Sequence, residues 1–225
     1  MANNEISSAT EPGIQKKNKS VFREYAEAIV IALLLALFIR TFIMQAFKIP
    51  SGSMEPTLLI GDHILVSKFS YGIHIPNEIP FTQVKLFPDI ILFPEMPERG
   101  DIIVFKFPKD ERRDFIKRVI GLPGDILQVT SQKVYINNKI YEDPHAFHSE
   151  APGSDPIMPR DDFGPMVIPD GHLFVMGDNR ENSQDSRYWG VLDFKKVKGK
   201  ALVIYWSWNS EDSWVRFDRF GKVLE

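Results

Sequence analysis

One apolar run near the N-terminus limits what this chain can fold into. Ala28 to Ile39 is twelve residues without a polar side chain, and extension from Tyr25 to Ala46 makes it 22. At 1.5 Å per residue that is a helix of about 33 Å, enough to cross a hydrocarbon core about 30 Å thick. Glu27 and Arg40 fall toward its ends, where long side chains reach the headgroup layer. A cleaved secretory signal would lead into a small-residue cleavage site. This run leads instead into Thr41-Phe42-Ile43-Met44-Gln45-Ala46-Phe47, so it is expected to remain as an anchor over residues 25–46. Lys16, Lys17, Lys19 and Arg23 precede it, and Lys48 is the only basic residue soon after it. The positive-inside rule then puts residues 1–24 in the cytosol as a polar tail and the rest of the chain outside. No later segment is long enough to span again: the best, Leu86 to Phe93, contains Pro88 and Asp89.

Beyond the anchor the pattern is mainly β. His63 to Phe69, Asp101 to Phe107, Phe115 to Ile120, Leu173 to Met176 and Ala201 to Trp206 read as strands. Lys133-Val134-Tyr135-Ile136 and Lys139-Ile140-Tyr141 flank Asn137-Asn138, the signature of a hairpin with positive φ at its turn. Between Ile126 and Asp170 the composition shifts to proline and acidic residues. Residues 126–170 are therefore expected to form a lobe inserted into one core made of 47–125 and 171–225. The stretch Tyr71 to Glu98 carries Ile73, Ile75, Ile79, Phe81, Leu86, Phe87, Ile90, Ile91, Leu92 and Phe93 among prolines. Such a surface either packs on the core or dips into the bilayer. The net charge of −3 offers no sign of a nucleic-acid partner, and the absence of cysteine excludes disulfides, thiolate metal sites and a cysteine nucleophile.

The polar motifs narrow the chemistry. A serine hydroxyl needs a base beside it. Of the five histidines, only His63 and His172 lie near the motif strings, and there is no Gly-x-Ser-x-Gly, Ser-x-x-Lys or His-Glu-x-x-His string. A lysine can act as the base only when neutral, and at an ordinary pKa near 10.4 about one in 2,500 is neutral at pH 7. Burial lowers that pKa. Lys117, within Phe115-Ile116-Lys117-Arg118-Val119-Ile120, would share a strand face with Phe115 and Val119 and has no carboxylate adjacent in sequence. The pattern alone favours a lysine on the solvent face of an edge strand.

Three strings follow the anchor in order: Ile49-Pro50-Ser51-Gly52-Ser53-Met54-Glu55-Pro56-Thr57-Leu58, then Phe115 to Asp125 ending Gly121-Leu122-Pro123-Gly124-Asp125, then Gly177-Asp178-Asn179-Arg180-Glu181-Asn182-Ser183-Gln184-Asp185-Ser186-Arg187. Together they resemble the bacterial type I signal peptidases, membrane-bound serine proteases with a Ser/Lys dyad. The resemblance covers about residues 25–125 and 163–206. Glu181 stands where aspartate is common and His63 where an aromatic is common. A single anchor replaces the two spans of some Gram-negative members.

The resemblance implies an antiparallel β-sheet catalytic domain with an inserted β lobe, on the outer face of the bacterial inner membrane. It implies an endopeptidase that removes signal peptides from exported preproteins after small residues, of the Ala-x-Ala type, without metal or cofactor. Signal peptides and the lipid bilayer would be its partners. Ser53 would be the nucleophile and Lys117 the general base. Ser51 would help form the oxyanion hole with the Ser53 N–H, and Ser183 would hydrogen-bond and orient Lys117. The pocket for the residue before the cut (−1) would be lined by Ile49, Pro50, Met54, Leu58 and Ile116. The −3 pocket would be lined by Phe47, Ile49, Ile64, Val104 and Ile116. Asp178, Arg180, Asp185 and Arg187 would form a supporting polar network. A membrane-tethered β-rich binding module is the non-catalytic alternative. A self-cleaving Ser/Lys repressor would need a DNA-binding domain, which residues 1–24 are too short to hold.

Overall fold

The computed structural model describes residues 21–75, 90–148 and 162–224. Contacts divide the chain into two units, Met1–Phe38 and Ile39–Glu225. In the first, helix α1 (Val21–Phe38) is apolar all round from Ala28 onward, and none of its side chains is buried. A π-helical turn, Ile39–Ile43, continues it, and Val21–Ile43 is long and apolar enough to cross a membrane. The span expected to reach Ala46 ends sooner. Met44–Lys48 is strand β1, whose main chain pairs with β2 (Asp62–Ser67) at Ala46↔Leu65 and Phe47↔Ile64. An amide committed to a strand ladder cannot also close a helical turn.

The second unit is antiparallel β. After β2 come β3 (Ile73–His74), β4 (Ile91–Leu92), β5 (Ile102–Phe107), β6 (Asp110–Gly121), β7 (Ile126–Thr130), β8 (Lys133–Ile136) and β9 (Lys139–Tyr141). Then follow β10 (Phe163–Val167), β11 (His172–Met176), the four-residue helix α2 (Ser186–Trp189), β12 (Leu192–Asp193), β13 (Val197–Asn209) and β14 (Trp214–Val215). The main sheet runs β1-β2-β13-β5-β6-β11-β12, with β14 on β13. A four-stranded sheet, β10-β7-β8-β9, forms the inserted lobe, and its β8–β9 turn has positive φ at Asn137 (52°) and Asn138 (64°).

Period-2 alternation explains the core. On β5, Ile102 and Val104 face one way, into a cluster with Ile49, Met54, Leu58, Ile64 and Ile116. Ile103 and Phe105 face the other way, into a cluster with Val119, Leu173 and Val175. A third cluster joins the lobe to the main sheet, packing Leu127, Val129, Val134 and Ile136 against Ile120, Phe174 and Met176. Within Tyr71 to Glu98, the residues Ile79, Phe81, Leu86 and Phe87, for which the sequence leaves core packing and bilayer contact both open, lie outside the described residues. Ile73, Ile90, Leu92 and Phe93 are exposed, whereas Ile91 packs against the second cluster.

The segment after Ser53 is locked to the chain's end. Arg219 Nε and Nη2 donate to the buried Asp62 carboxylate, at 2.6 Å for Nη2, and Arg219 Nη2 also donates to Thr57 O at 2.9 Å. Ser207 Oγ and the Leu59 N–H complete the carboxylate's set of donors. Arg219→Ala would strand that charge, so a loss of about 3–5 kcal/mol is expected in urea denaturation. Lys198→Ala, which breaks a more exposed pair with Asp114, should cost under about 1 kcal/mol in the same measurement.

Candidate active site

Ser53 sits in a single 3-10 turn, Gly52–Met54, and β6 passes beside it. That crossing brings Lys117 Nζ to 2.7 Å from Ser53 Oγ and 2.8 Å from Ile116 O, both as a donor. Ser53 is 8% exposed and Lys117 4%. The Phe115 ring centroid lies 5.4 Å from the amine. Burial lowers the Lys117 pKa from 10.5 to about 8. Asp185 and Asp178 act against that shift, and Arg187 reinforces it. Each of those carboxylates is already committed elsewhere. Asp185 takes both Nε and Nη2 of Arg187 at 2.9 Å. Asp178 takes Nε and Nη2 of Arg118 at 2.9 and 2.8 Å, with both side chains fully buried. Burial alone would raise the Asp185 carboxyl, but Arg187 and the surrounding hydrogen bonds hold it below the usual carboxylate range.

The sequence grouped Asp178, Arg180, Asp185 and Arg187 as one network. The structure splits them. Asp178 pairs with Arg118 and Arg180 pairs with Asp143 of the lobe, while Asp185 and Arg187 pair with each other. Arg187 Nη2 donates to Arg180 O at 2.6 Å, which links the last two pairs. Arg118 and Asp143 are 60 and 37 residues from their partners, so no spacing rule reaches them.

Ser183 is buried, but the expected bond to Lys117 is absent from this structure. Its Oγ meets no partner at hydrogen-bonding geometry, and it lies near enough to Asp185 to help hold that carboxylate ionised. Ser51 is exposed at the edge of the turn, and its side chain makes no cap bond. A small cavity of about 30 Å³ brings together Phe47, Ile49, Pro50, Ile64, Val104 and Ile116, with Lys48, Asp114 and Phe115. Met54 and Leu58 do not reach its wall. Both are fully buried in the cluster beneath it.

A match to the family model for signal peptidase, peptidase S26, spans residues 22–206. The chain belongs to the signal peptidase S26 family. Signal peptidase I of Pseudomonas aeruginosa is 36% identical, over 87% of this chain and 76% of its own length. Signal peptidase I of Aquifex aeolicus is 35% identical, over 82% of this chain and 84% of its own. A crystal structure of a signal peptidase I from Enterococcus faecalis, 29% identical, matches 47% of this chain and 97% of its own, with a TM-score of 0.39. Membership makes this chain a serine peptidase, and the apolar helix Val21–Ile43 fits a membrane-anchored member of the family.

Two features around Ser53 escaped the sequence reading. Asn179 donates twice to the serine's turn, from its backbone N–H to Ser53 O and from Nδ2 to Gly52 O, each at 3.2 Å. Gly177 leaves the space in which this segment approaches. A Cβ there would stand 2.4 Å from Ser53 O and 2.3 Å from Ser183 Oγ. The only signal for either was their place inside a polar string. Gly177→Ala should therefore push the Ser53 turn away from Lys117. The expected outcome is loss of labelling by a serine-directed reagent, with a folded protein by circular dichroism.

Proposed function

We propose that this family member removes signal peptides from exported preproteins by a Ser53/Lys117 mechanism, cutting after small residues. The observation that carries the reading is the 2.7 Å contact between Ser53 Oγ and a buried amine whose pKa is lowered to about 8. At that value about one lysine in ten is neutral at pH 7, against about one in 2,500 when unperturbed. Ser53 Oγ attacks the scissile carbonyl as Lys117 takes its proton. Lys117 then protonates the leaving amine, and water hydrolyses the acyl-enzyme. The Ser53 N–H and the Ser51 hydroxyl stabilise the oxyanion. A neutral amine has two N–H groups and one lone pair. One N–H stays on Ile116 O, the lone pair faces Ser53, and the other N–H needs an acceptor. Ser183 Oγ, buried and without a partner at hydrogen-bonding geometry among the described residues, fills that role after a side-chain rotation. No step calls for a metal or cofactor.

Ser53→Ala and Lys117→Met should each abolish preprotein cleavage in a folded protein. Lys117→Arg should fail as well, since a guanidinium keeps its proton near neutral pH. Lys117 is the base, and its neutral form is lost as pH falls through its folded pKa. kcat/KM should therefore drop about tenfold per pH unit below about pH 8. A pH-independent kcat/KM between 6 and 9, or turnover by Lys117→Arg, would remove the lysine from this role.

The substrate is read as an extended strand beside residues 47–51, with −1 and −3 pointing the same way into the enzyme. The small cavity is walled by the apolar side chains of Phe47, Ile49, Ile64, Val104 and Ile116, so it suits a small apolar side chain. Overfilling an apolar site costs about 1–3 kcal/mol, so Phe at −1 should slow cleavage about tenfold or more against Ala, whereas −2 tolerates most residues. A preprotein series varied at −1, −2 and −3 measures this. The basic residues before the helix support a reading with the N-terminus in the cytosol and the catalytic unit on the outer face of the bacterial inner membrane. A C-terminal tag should accordingly be digested by protease added to spheroplasts.

A further inference from the structure

We infer that Asn179 is a positioning residue that aims the Ser53 N–H at the developing oxyanion. The argument rests on the serine-protease reading above and on the geometry of one peptide unit. In a trans peptide, the C=O of one residue and the N–H of the next lie on opposite edges of a single rigid plane. The Gly52 oxygen and the Ser53 N–H are such a pair. Gly52 O accepts from Asn179 Nδ2 at 3.2 Å and from the Glu55 N–H at 3.1 Å. Two donors on that oxygen stop the plane from rotating, and the opposite edge then points out of the turn. Helical geometry leaves the first N–H groups of a turn without internal partners, and Ser53 is the second residue of its turn. Donation to the carbonyl also polarises the peptide, which strengthens the N–H on its far edge. The Asn179 backbone fixes the next plane through its N–H bond to Ser53 O.

The rest of the asparagine's surroundings agree with such a role. Its Oδ1 is buried with no hydrogen-bond partner, a costly state for an amide. The side chain is therefore held for its donor rather than for packing. The segment that carries it is braced from the other side by the lobe. Phe147 N–H donates to Asp178 O at 2.7 Å, and Arg180 N–H donates to Phe147 O at 2.9 Å. Arg180 Nε donates to Gly177 O at 3.1 Å. Asn179 thus stands between a fixed strut and the nucleophile's backbone.

The test uses the full chain in detergent, with three readouts. These are kcat/KM on a preprotein, Ki for a peptide aldehyde ending in Ala-x-Ala, and Kd for the matching peptide amide. Ser53 Oγ adds to the aldehyde carbon, the carbonyl π electrons move to oxygen, and Lys117 takes the serine proton, so the adduct carries the oxyanion that the amide lacks. Losing an oxyanion donor outright costs about 10²–10³ in rate. Misaiming one should cost less, so Asn179→Ala is expected to lower kcat/KM about 10–100-fold. Aldehyde Ki should rise by the same factor, while amide Kd stays within twofold. Asn179→Asp keeps the shape without the donor and should fail alike. It carries the test by the same criteria if Asn179→Ala does not fold. Cleavage within threefold of wild type would overturn the inference. So would a loss of kcat/KM without a matching rise in aldehyde Ki. Failure of the underlying reading is seen separately, as equal cleavage by wild type and Ser53→Ala.

Discussion

The structure around Ser53 depends on one costly arrangement, an amine buried beside a hydroxyl with no carboxylate of its own. A free carboxylate within reach would keep Lys117 charged. Asp178 and Asp185 are close enough to be felt, yet each is saturated by an arginine, Arg118 and Arg187. The arginines therefore do more than satisfy buried acids. They mute the two charges that would otherwise restore the lysine's ordinary pKa. Arg118 adjoins Lys117 in β6 and points to the opposite face, so one strand delivers both the amine and the group that shields it.

That arrangement explains why the site needs a sheet on each side. β6 pairs with β5 on one edge, at Ile103↔Lys117, and with β11 on the other, at Met176↔Arg118. A lysine on a central strand is flanked on both edges by neighbouring strands and their side chains, which keep it from water. The apolar clusters on the two faces of β5 supply the desolvation, and the third cluster ties the lobe's sheet into the same body. The lobe is thus an insertion in sequence but a brace in space. Its arm at Asp143 and Phe147 reaches the segment that holds the serine's turn.

Much of the strand pattern was legible because alternation and chain-reversing residues are local signals. The Asn137-Asn138 hairpin and the strands containing Leu65, Val104 and Val175 needed no tertiary information. The end of the anchor did need it. Met44 to Ala46 are apolar enough to extend a span, and only pairing with β2 makes them a strand. Ser53 and Lys117 could be singled out by family likeness, whereas the pattern around Lys117 alone favoured an exposed edge strand. Arg118, Asp143 and Asn179 were illegible as partners because each acts across dozens of residues on a contact that only the fold creates. Met54 and Leu58 were misplaced for a related reason. Apolar residues in a nucleophile's string look like pocket wall, but here they are the floor beneath it.

Phe47, Ile49, Ile64 and Val104 reach the cavity from β1, the start of the serine's loop, β2 and β5, and the last three share one apolar cluster with Met54 and Leu58. Close-packed interiors give little when volume is added. The wall therefore cannot deepen to admit a larger side chain without moving the turn that begins at Gly52. Asn179 holds that turn at Gly52, and the Arg219–Asp62 pair holds the chain that follows it at Thr57. The cavity wall and the Ser53 turn are, on this geometry, parts of one rigid corner of the fold.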